Sequence, residues 1–305
     1  MSARLMASRW SDVLLTALAP AIWGSTYIVT TQLLPPDRPF TAALLRVLPA
    51  GLLLILAGRH LPRRGEWGRL LVLSALNIGV FQALLFVAAY RLPGGLAAVL
   101  GATQPLLVMG LAWGLDGRRP ARVAAWAGVA GVAGMAALLL SPGAVWDGVG
   151  MLAALGGAAA MASGTYLTRR WRPSAPLAAL TGWQLALGGL MLAPLAWALD
   201  PALPALGATQ WLGYGYLCLF GALLAYLLWF RGLARLSPVA VSSLGLLSPL
   251  TAVLLGWLLL GQALGPLQLA GLATVLASVL AVQRSMAAPP PADKQIMAGA
   301  ARARS

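Results

Sequence analysis

The chain has 305 residues, of which 60% are hydrophobic and 9% are charged, and its mean hydropathy is +0.83. These values exclude a water-soluble globular domain of this size and place the chain in a lipid bilayer. The net charge of +14 alone would suit a nucleic-acid partner, so the positions of the basic residues have to decide whether one is needed.

Apolar runs of roughly 20 residues, the length of a transmembrane helix, recur ten times along the chain. They are continuous and do not alternate in polarity. This favours helices over barrel strands, because a helix satisfies its backbone polar groups internally. We therefore predict an all-α integral membrane protein. The expected spans cover residues 12–34, 40–58, 69–90, 95–116, 122–140, 148–168, 176–198, 210–232, 239–260 and 266–283.

Basic residues fall on alternate connections between these spans. Apart from Arg46, which lies inside the second span, only Arg38 and Arg91 lie on the other set of connections. The positive-inside rule then predicts an even number of spans with both termini in the cytoplasm, in a plasma (inner) membrane of bacterial type. Since this topology accounts for the basicity, no nucleic-acid partner is expected.

The two halves of the chain resemble one another. Residues 80–117 align with residues 224–261 at a constant offset of 144, which pairs Arg91 with Arg235 and Pro105 with Pro249. Because each half holds five spans, an odd number, the second half enters the membrane in the opposite direction. Two inverted five-helix repeats are typical of transporters that alternate access between the two sides.

Shorter matches extend the repeat to the opening helices, where Thr26 pairs with Thr165 and Arg46 with Gln184. Alone, these matches could arise by chance in Ala- and Leu-rich sequence. We expect residues 1–11 to lie in the cytoplasm, residues 12–140 to form the first five-helix repeat and residues 148–284 to form the second. Residues 285–305 should form a proline-containing, disordered cytoplasmic tail.

Proline inside a helix removes a backbone hydrogen bond and leaves a carbonyl about one turn earlier without its donor. Pro105 and Pro249 are expected to do this at matching depths in the fourth and ninth spans, freeing carbonyls near Gly101 and Gly245. Kinked helices with polar neighbours suit a flexing gate or a binding cavity. The alternative is a static kink that helps the helices to pack.

Polar and aromatic residues predicted inside the spans are the candidates for substrate binding. They are Trp23, Tyr27, Arg46, Asn77, Gln82, Tyr90, Gln104, Tyr166, Trp183, Gln184, Tyr214, Tyr226 and Ser248. Arg46 either extends its guanidinium outward to the membrane surface, or binds a substrate carboxylate, or ties its helix to a neighbour through backbone carbonyls.

All seven acidic residues fall in loops or at span ends, the one histidine, His60, lies in a loop, and the one cysteine is Cys218. This excludes an acid pair, a metal-ligand cluster or a nucleophile with its base, so no enzyme, metal or cofactor is expected. Proton coupling usually needs a buried acid or histidine, so we expect a uniporter or an exchanger. The alternative functions are a channel or a membrane-embedded enzyme acting on a small amphipathic metabolite.

Trp23-Gly24-Ser25-Thr26-Tyr27, Arg46, and the stretch from Arg91 to Pro105 with its echo from Arg235 to Pro249 resemble the EamA-type members of the drug/metabolite transporter superfamily. The resemblance covers about residues 10–284, and the ten-span layout looks most like the YddG-type exporters of aromatic and other amino acids. It implies a secondary transporter that exports neutral amino acids. One departure is Gln262, which stands where members often carry a glutamate.

A small amphipathic zwitterion is the substrate that aromatic, amide and hydroxyl side chains would suit. The expected partners are therefore amino acids and the lipid bilayer. The sequence leaves open whether the protein is a monomer or a homodimer, because the glycines of the fourth and fifth spans could pack helices within one chain or between two.

Overall fold

The computed structural model describes residues 3–92, 94–140 and 147–287. Within these ranges, ten helical segments are long and apolar enough to cross a membrane, which confirms the expected fold class. Residues 288–305, most of the expected disordered tail, lie outside the described residues. In chain order, spans 1 to 10 are Ser8–Leu33, Pro39–Gly58, Arg64–Ala88, Leu96–Asp116, Arg122–Leu139, Gly148–Trp171, Leu177–Leu199, Ala208–Arg235, Pro238–Leu260 and Pro266–Met286.

Six spans are formed by single α-helices. These helices are Ala3–Leu33, Pro39–Gly58, Arg122–Leu139, Gly148–Trp171, Leu177–Leu199 and Pro266–Ala287. The chain passes an even number of times through the membrane, so its two ends lie on the same side, where Arg9 Nη2 donates to Gln283 O at 3.1 Å. We call this the terminal side and the other the far side.

Spans 3 and 8 each contain a π-helix between two α-helices. Span 3 joins Trp67–Ser74, the π-helix Ala75–Gly79 and Val80–Arg91 after a 3-10 turn at Arg64–Glu66. Span 8 joins Ala208–Tyr216, the π-helix Leu217–Leu224 and Ala225–Arg235. A shift of 144 moves residues 75–79 to 219–223, inside the second π-helix. The π-helix is therefore a property of the repeat.

Spans 4 and 9 are broken, where the sequence predicts kinks. Span 4 consists of Gly94–Gly101 and Gln104–Asp116, and span 9 of Pro238–Leu244 and Leu247–Leu260. Pro105 is the second residue of a new helix, where the missing N–H needs no partner. The carbonyl of Gly245 is not freed as expected, because Ser248 N donates to it at 3.1 Å in the tight turn at the break.

Packing follows the symmetry of the repeat. If spans 1 to 5 are exchanged with spans 6 to 10, the pairs 2 with 7 and 5 with 10 map onto themselves. The same exchange turns the contact between spans 3 and 6 into the contact between spans 8 and 1. It also turns the contact between spans 1 and 9 into the contact between spans 6 and 4. All of these are extensive contacts in the structure. The main helix pairs thus join the two halves, and relative motion of the halves would change them.

Small residues allow the self-equivalent pairs to approach closely. A Cβ added to Gly51 of span 2 would lie 2.9 Å from Ala186 Cα of span 7, and one added to Gly271 of span 10 would lie 2.6 Å from Gly134 O of span 5. The glycines of span 5 therefore serve packing within the chain. Gly110 in span 4 has nothing within 4 Å of an added Cβ.

Candidate substrate site

The carbonyl oxygen of Gly221, in the π-helix of span 8, accepts hydrogen bonds from two other spans. Trp23 Nε1 of span 1 donates at 3.0 Å, and Arg46 of span 2 donates through Nε at 3.3 Å and Nη2 at 2.8 Å. The π-helix makes this oxygen accessible, because the N–H of Ala225, its partner in an α-helix, donates to Phe220 and Ala222. Three elements therefore converge on one backbone atom.

Arg46 lies inside the bundle, about 10 Å along span 2 at 1.5 Å per residue. The structure supports the interpretation that Arg46 ties span 2 to a neighbouring helix through a backbone carbonyl, and not the interpretation that its guanidinium extends to the membrane surface. No carboxylate among the described residues comes within 4.0 Å of Arg46, and its recorded hydrogen bonds use Nε and Nη2 and leave Nη1. A carbonyl satisfies N–H groups but does not neutralise a cation, so this position favours an anionic ligand.

Aromatic side chains form a wall beside Arg46, which we call the aromatic wall and define as Trp23, Tyr226, Trp229 and Phe230. The ring of Trp23 lies 5.1 Å from both the Tyr226 ring and the Trp229 ring, and the Tyr226 and Phe230 rings are 5.9 Å apart. All but Trp23 are fully buried. Such a surface suits the apolar part of a ligand.

Tyr27, Gln82 and Gln104 border the wall. Tyr27 lies one turn after Trp23 on span 1 and is 54% exposed. Gln82 Nε2 donates to the hydroxyl of Tyr226 at 3.3 Å. Gln104 approaches the helix break in span 9, where its Oε1 lies 3.8 Å from a Cβ added to Gly245.

Two buried donors near this break have no protein acceptor in the part of the chain that the structure describes. They are Nε2 of Gln104 and Nε1 of Trp229, and Trp229 Cη2 lies 3.8 Å from the same added Cβ of Gly245. An N–H group left unpaired in hydrocarbon is costly. The centre of the molecule therefore offers one cation, several N–H donors and apolar rings, which together suit an acceptor-rich ligand with an apolar part.

The model of the EamA-like transporter family matches residues 10–140 and 148–283. The chain belongs to this family. This EamA transporter is 46% identical to protein PecM of Dickeya dadantii (strain 3937), over 87% of this chain and 90% of PecM. It is 31% identical to the inner membrane transporter YedA of Escherichia coli (strain K12), over 86% of this chain and 87% of YedA. It is a multi-pass membrane transporter and not an enzyme.

A solved crystal structure of a protein superposes on this EamA transporter with a TM-score of 0.76. The superposition covers 90% of this chain and 97% of the other, at 21% sequence identity. At that level of identity the likeness shows the fold alone.

Two of the predicted binding residues, Asn77 and Gln184, bond to each other in a buried contact, in which Asn77 Oδ1 and Gln184 Nε2 have no partner among the described residues. Asn77, in the π-helix of span 3, donates from Nδ2 to Gln184 Oε1 at 2.8 Å and to Thr168 Oγ1 at 3.3 Å. Asn77 and Gln184 are fully buried. Since Gln184 and Asn77 are the repeat equivalents of Arg46 and Gly221, the EamA transporter holds two related junctions, one closed by amides and one carrying a charge.

Trp183 and Tyr166 lie at the terminal side, away from the centre. Trp183 Nε1 donates to His60 O at 2.9 Å, and its ring lines a cleft of about 200 Å³ there. Tyr166 is buried, and its hydroxyl accepts from Arg170 Nη1 at 2.6 Å. Both were predicted to bind substrate because they lie inside apolar runs, but their polar atoms are satisfied near the membrane surface.

The other predicted binding residues are Tyr214, Tyr90 and Ser248. Tyr214 is buried near the far side against Leu34 and Ala42, so it does not reach the central site. The side chain of Tyr90 lies outside the described part of the structure. Ser248 follows the break in span 9, and its carbonyl contacts the position of a Cβ added to Gly24 of span 1, so its backbone takes part in packing beside the site.

Sequence reasoning missed Gly221 and left open whether Trp229 lines the interior or faces lipid. The repeat offset of 144 points from Asn77 to Gly221, but a glycine offers no side chain that would mark it as functional. Trp229 could equally have faced lipid, and only its 5.1 Å contact with Trp23 assigns it to the interior.

Proposed function

We propose that this EamA transporter exports small amphipathic carboxylates, above all aromatic and other neutral amino acids as YddG-type exporters do, by alternating access between the two halves. The observation that carries the proposal is Arg46, a cation inside the bundle, bonded to the Gly221 carbonyl and beside the aromatic wall. A carboxylate would pair with the guanidinium, and an apolar side chain would lie against the rings.

We also propose that the protein lies in the inner (plasma) membrane with both termini in the cytoplasm. The support is the positive-inside pattern, since Arg38 and Arg91 are the basic residues that fall on far-side connections. Residues 12–140 and 148–284 form the two bodies that move. The one buried acid among the described spans, Asp12, lies at the terminal-side end of span 1 and not at mid-membrane. Transport therefore follows the gradient of the substrate, and export requires a higher concentration in the cytoplasm.

Counterflow in liposomes that contain only the purified protein tests the substrate class. Unlabelled phenylalanine, leucine or glutamine inside should drive uptake of the same labelled amino acid, whereas phenylalanine amide, which lacks the carboxylate, should compete at least 10-fold more weakly. Arg46→Gln should raise KM for phenylalanine about 10-fold or more, since hydrogen bonds to charged groups contribute about 1.5–3 kcal/mol, and should abolish the preference over the amide.

Arg122→Gln is the matched control, because Arg122 is exposed at the beginning of span 5. This variant should keep the KM and the selectivity of the wild type. Equal competition by phenylalanine and its amide in the wild type would reject carboxylate recognition. Failure of all amino acids to exchange would reject the substrate class.

A further inference from the structure

Each side of the membrane carries an ion pair between an aspartate that begins the first span of one half and an arginine that ends the third span of the other. On the terminal side, Asp12 of span 1 accepts from Arg231 at 2.7 Å and from Arg235 at 3.2 Å, both in span 8. On the far side, Arg91 Nη1, at the end of span 3, lies 3.6 Å from Asp147 Oδ2, at the beginning of span 6.

The two ion pairs are related by the repeat. Arg91 and Arg235 are separated by the offset of 144, and spans 3 and 8 are equivalent, as are spans 1 and 6. Exchange of the halves therefore superposes Arg91 on Arg235 and brings a similar pair to the opposite membrane face, with Asp147 about one helical turn before the position that the offset between Thr26 and Thr165 assigns to Asp12. Both pairs also cross between the halves, so neither stabilises a half by itself.

Close packing accompanies each pair. Gly232 of span 8 lies against Thr16 of span 1, and a Cβ there would approach Thr16 Cβ to 3.0 Å. On the far side, a Cβ added to Gly150 of span 6 would lie 2.9 Å from Arg91 Cβ of span 3. Each ion pair thus lies beside a tight contact between helices.

We infer that these two ion pairs are the gates of the transporter, opened in turn, so that breaking one exposes the central site to that side while the other holds. The inference rests on the proposed alternating access. Inverted repeats exchange conformations during the cycle, so a contact between halves on one face must be formed when its equivalent on the other face is broken. An ionic contact suits this task because water replaces it when the mouth opens.

The gates differ in strength. Asp12 faces two arginines. The side chains of Asp12 and its nearer partner Arg231 are 12% and 25% exposed and that of Arg235 is 53% exposed, whereas those of Asp147 and Arg91 are 34% and 50% exposed. An ion pair in a less hydrated position is weakened less by solvent. The terminal gate is therefore the stronger of the two, and the transporter without substrate favours opening on the far side.

Hydrogen–deuterium exchange of the purified full-length protein tests the coupling without any substrate. Asp12→Asn should increase exchange at the terminal-side ends of spans 1 and 8 and decrease it at the far-side ends of spans 3 and 6. Asp147→Asn should do the reverse. Asparagine keeps the N-cap that Asp147 provides to Gly150 N at 2.6 Å, so this variant removes only the charge. Arg91→Gln should reproduce its effect.

Changes confined to the mutated face would overturn the inference, because coupled gates must respond reciprocally. Asp37→Asn is the control, since Asp37 lies in the far-side loop between spans 1 and 2, and it should change neither face.

Reversible cross-linking then tests the gates during transport. In a Cys218→Ser background, cysteines replacing Asp12 and Arg235, or Arg91 and Asp147, are joined by a short bis-methanethiosulfonate. Each cross-link alone should stop counterflow, and a reductant should restore it, whereas the four single-cysteine variants should be insensitive. Unchanged flux with either link in place would reject the gates while leaving the substrate proposal standing. Exchange data that show reciprocity without any amino-acid flux would reject the substrate and keep the gates.

Discussion

Gln82 Nε2 donates to the hydroxyl of Tyr226 at 3.3 Å, and the two residues are separated by 144 positions, the offset between the repeats. A residue can touch its own repeat equivalent only near the axis that relates the two halves. The pseudo-twofold axis therefore passes through this hydrogen bond, in the interior and beside the aromatic wall. The contact joins spans 3 and 8, which also carry the two π-helices and the three gate arginines.

A double-mutant cycle on this pair measures how strongly the axis ties the halves together. Tyr226→Phe leaves the buried Gln82 amide without its acceptor, and Gln82→Leu leaves the buried hydroxyl without its donor. Each should lower the free energy of unfolding by about 1–3 kcal/mol. The double variant should lose less than the sum, because it leaves neither group unpaired. Thermal unfolding in detergent gives the values, and strict additivity would contradict an energetic link.

The amide junction should matter for stability and not for substrate recognition. Gln184→Leu deprives Asn77 of its 2.8 Å acceptor in a buried site, which should cost about 1–3 kcal/mol and lower the melting temperature. KM in counterflow should stay within twofold of the wild type. Gln32→Leu, at an exposed position of span 1, should change neither quantity. A large KM change in Gln184→Leu would return this junction to the substrate site.

Gly221→Ala separates the position of the Arg46 guanidinium from its charge. The new Cβ would lie 3.3 Å from Thr26 Cγ2 and 3.4 Å from Arg46 Nε, so these side chains have to shift slightly and the bond from the guanidinium to the Gly221 carbonyl is disturbed. We expect KM to rise several-fold while stability changes little, because tighter packing is offset by about 1 kcal/mol of improved helix propensity.

Gly215→Ala serves as the control for this change, because nothing lies within 4 Å of a Cβ at that position in the same span. It should raise the melting temperature slightly and leave KM unchanged. If both variants behaved alike in transport, the contact between Arg46 and Gly221 would have no role in recognition.

Hydropathy and the 144-residue offset were enough to predict ten helices in two inverted halves, since both are properties of long segments. They could not predict which polar residues face the centre. Trp183 and Tyr166 lie in the same kind of apolar run as Trp23, and only the tertiary structure shows their polar atoms bonded near the terminal side. The Gly221 carbonyl can accept from Trp23 and Arg46 because the π-helix directs the N–H of Ala225 elsewhere. A π-helix is a local change of register that apolar periodicity does not reveal.

A pH gradient alone should not drive accumulation of substrate. The acids in the described spans and at their ends lie near the membrane surfaces. Asp12, Asp116 and Asp147 pair with arginines there, and Asp200 accepts from Thr41 N at 2.5 Å. A proton carrier needs an acid that reaches both sides in turn, and a cation at Arg46 does not release its proton in proteins.

Liposomes with the membrane potential clamped by valinomycin and potassium, and with only a pH gradient imposed, should equilibrate labelled phenylalanine without concentrating it. The same liposomes preloaded with unlabelled phenylalanine should show counterflow, which controls for activity. Concentrative uptake that an uncoupler abolishes would contradict the prediction and show that protons are coupled to transport.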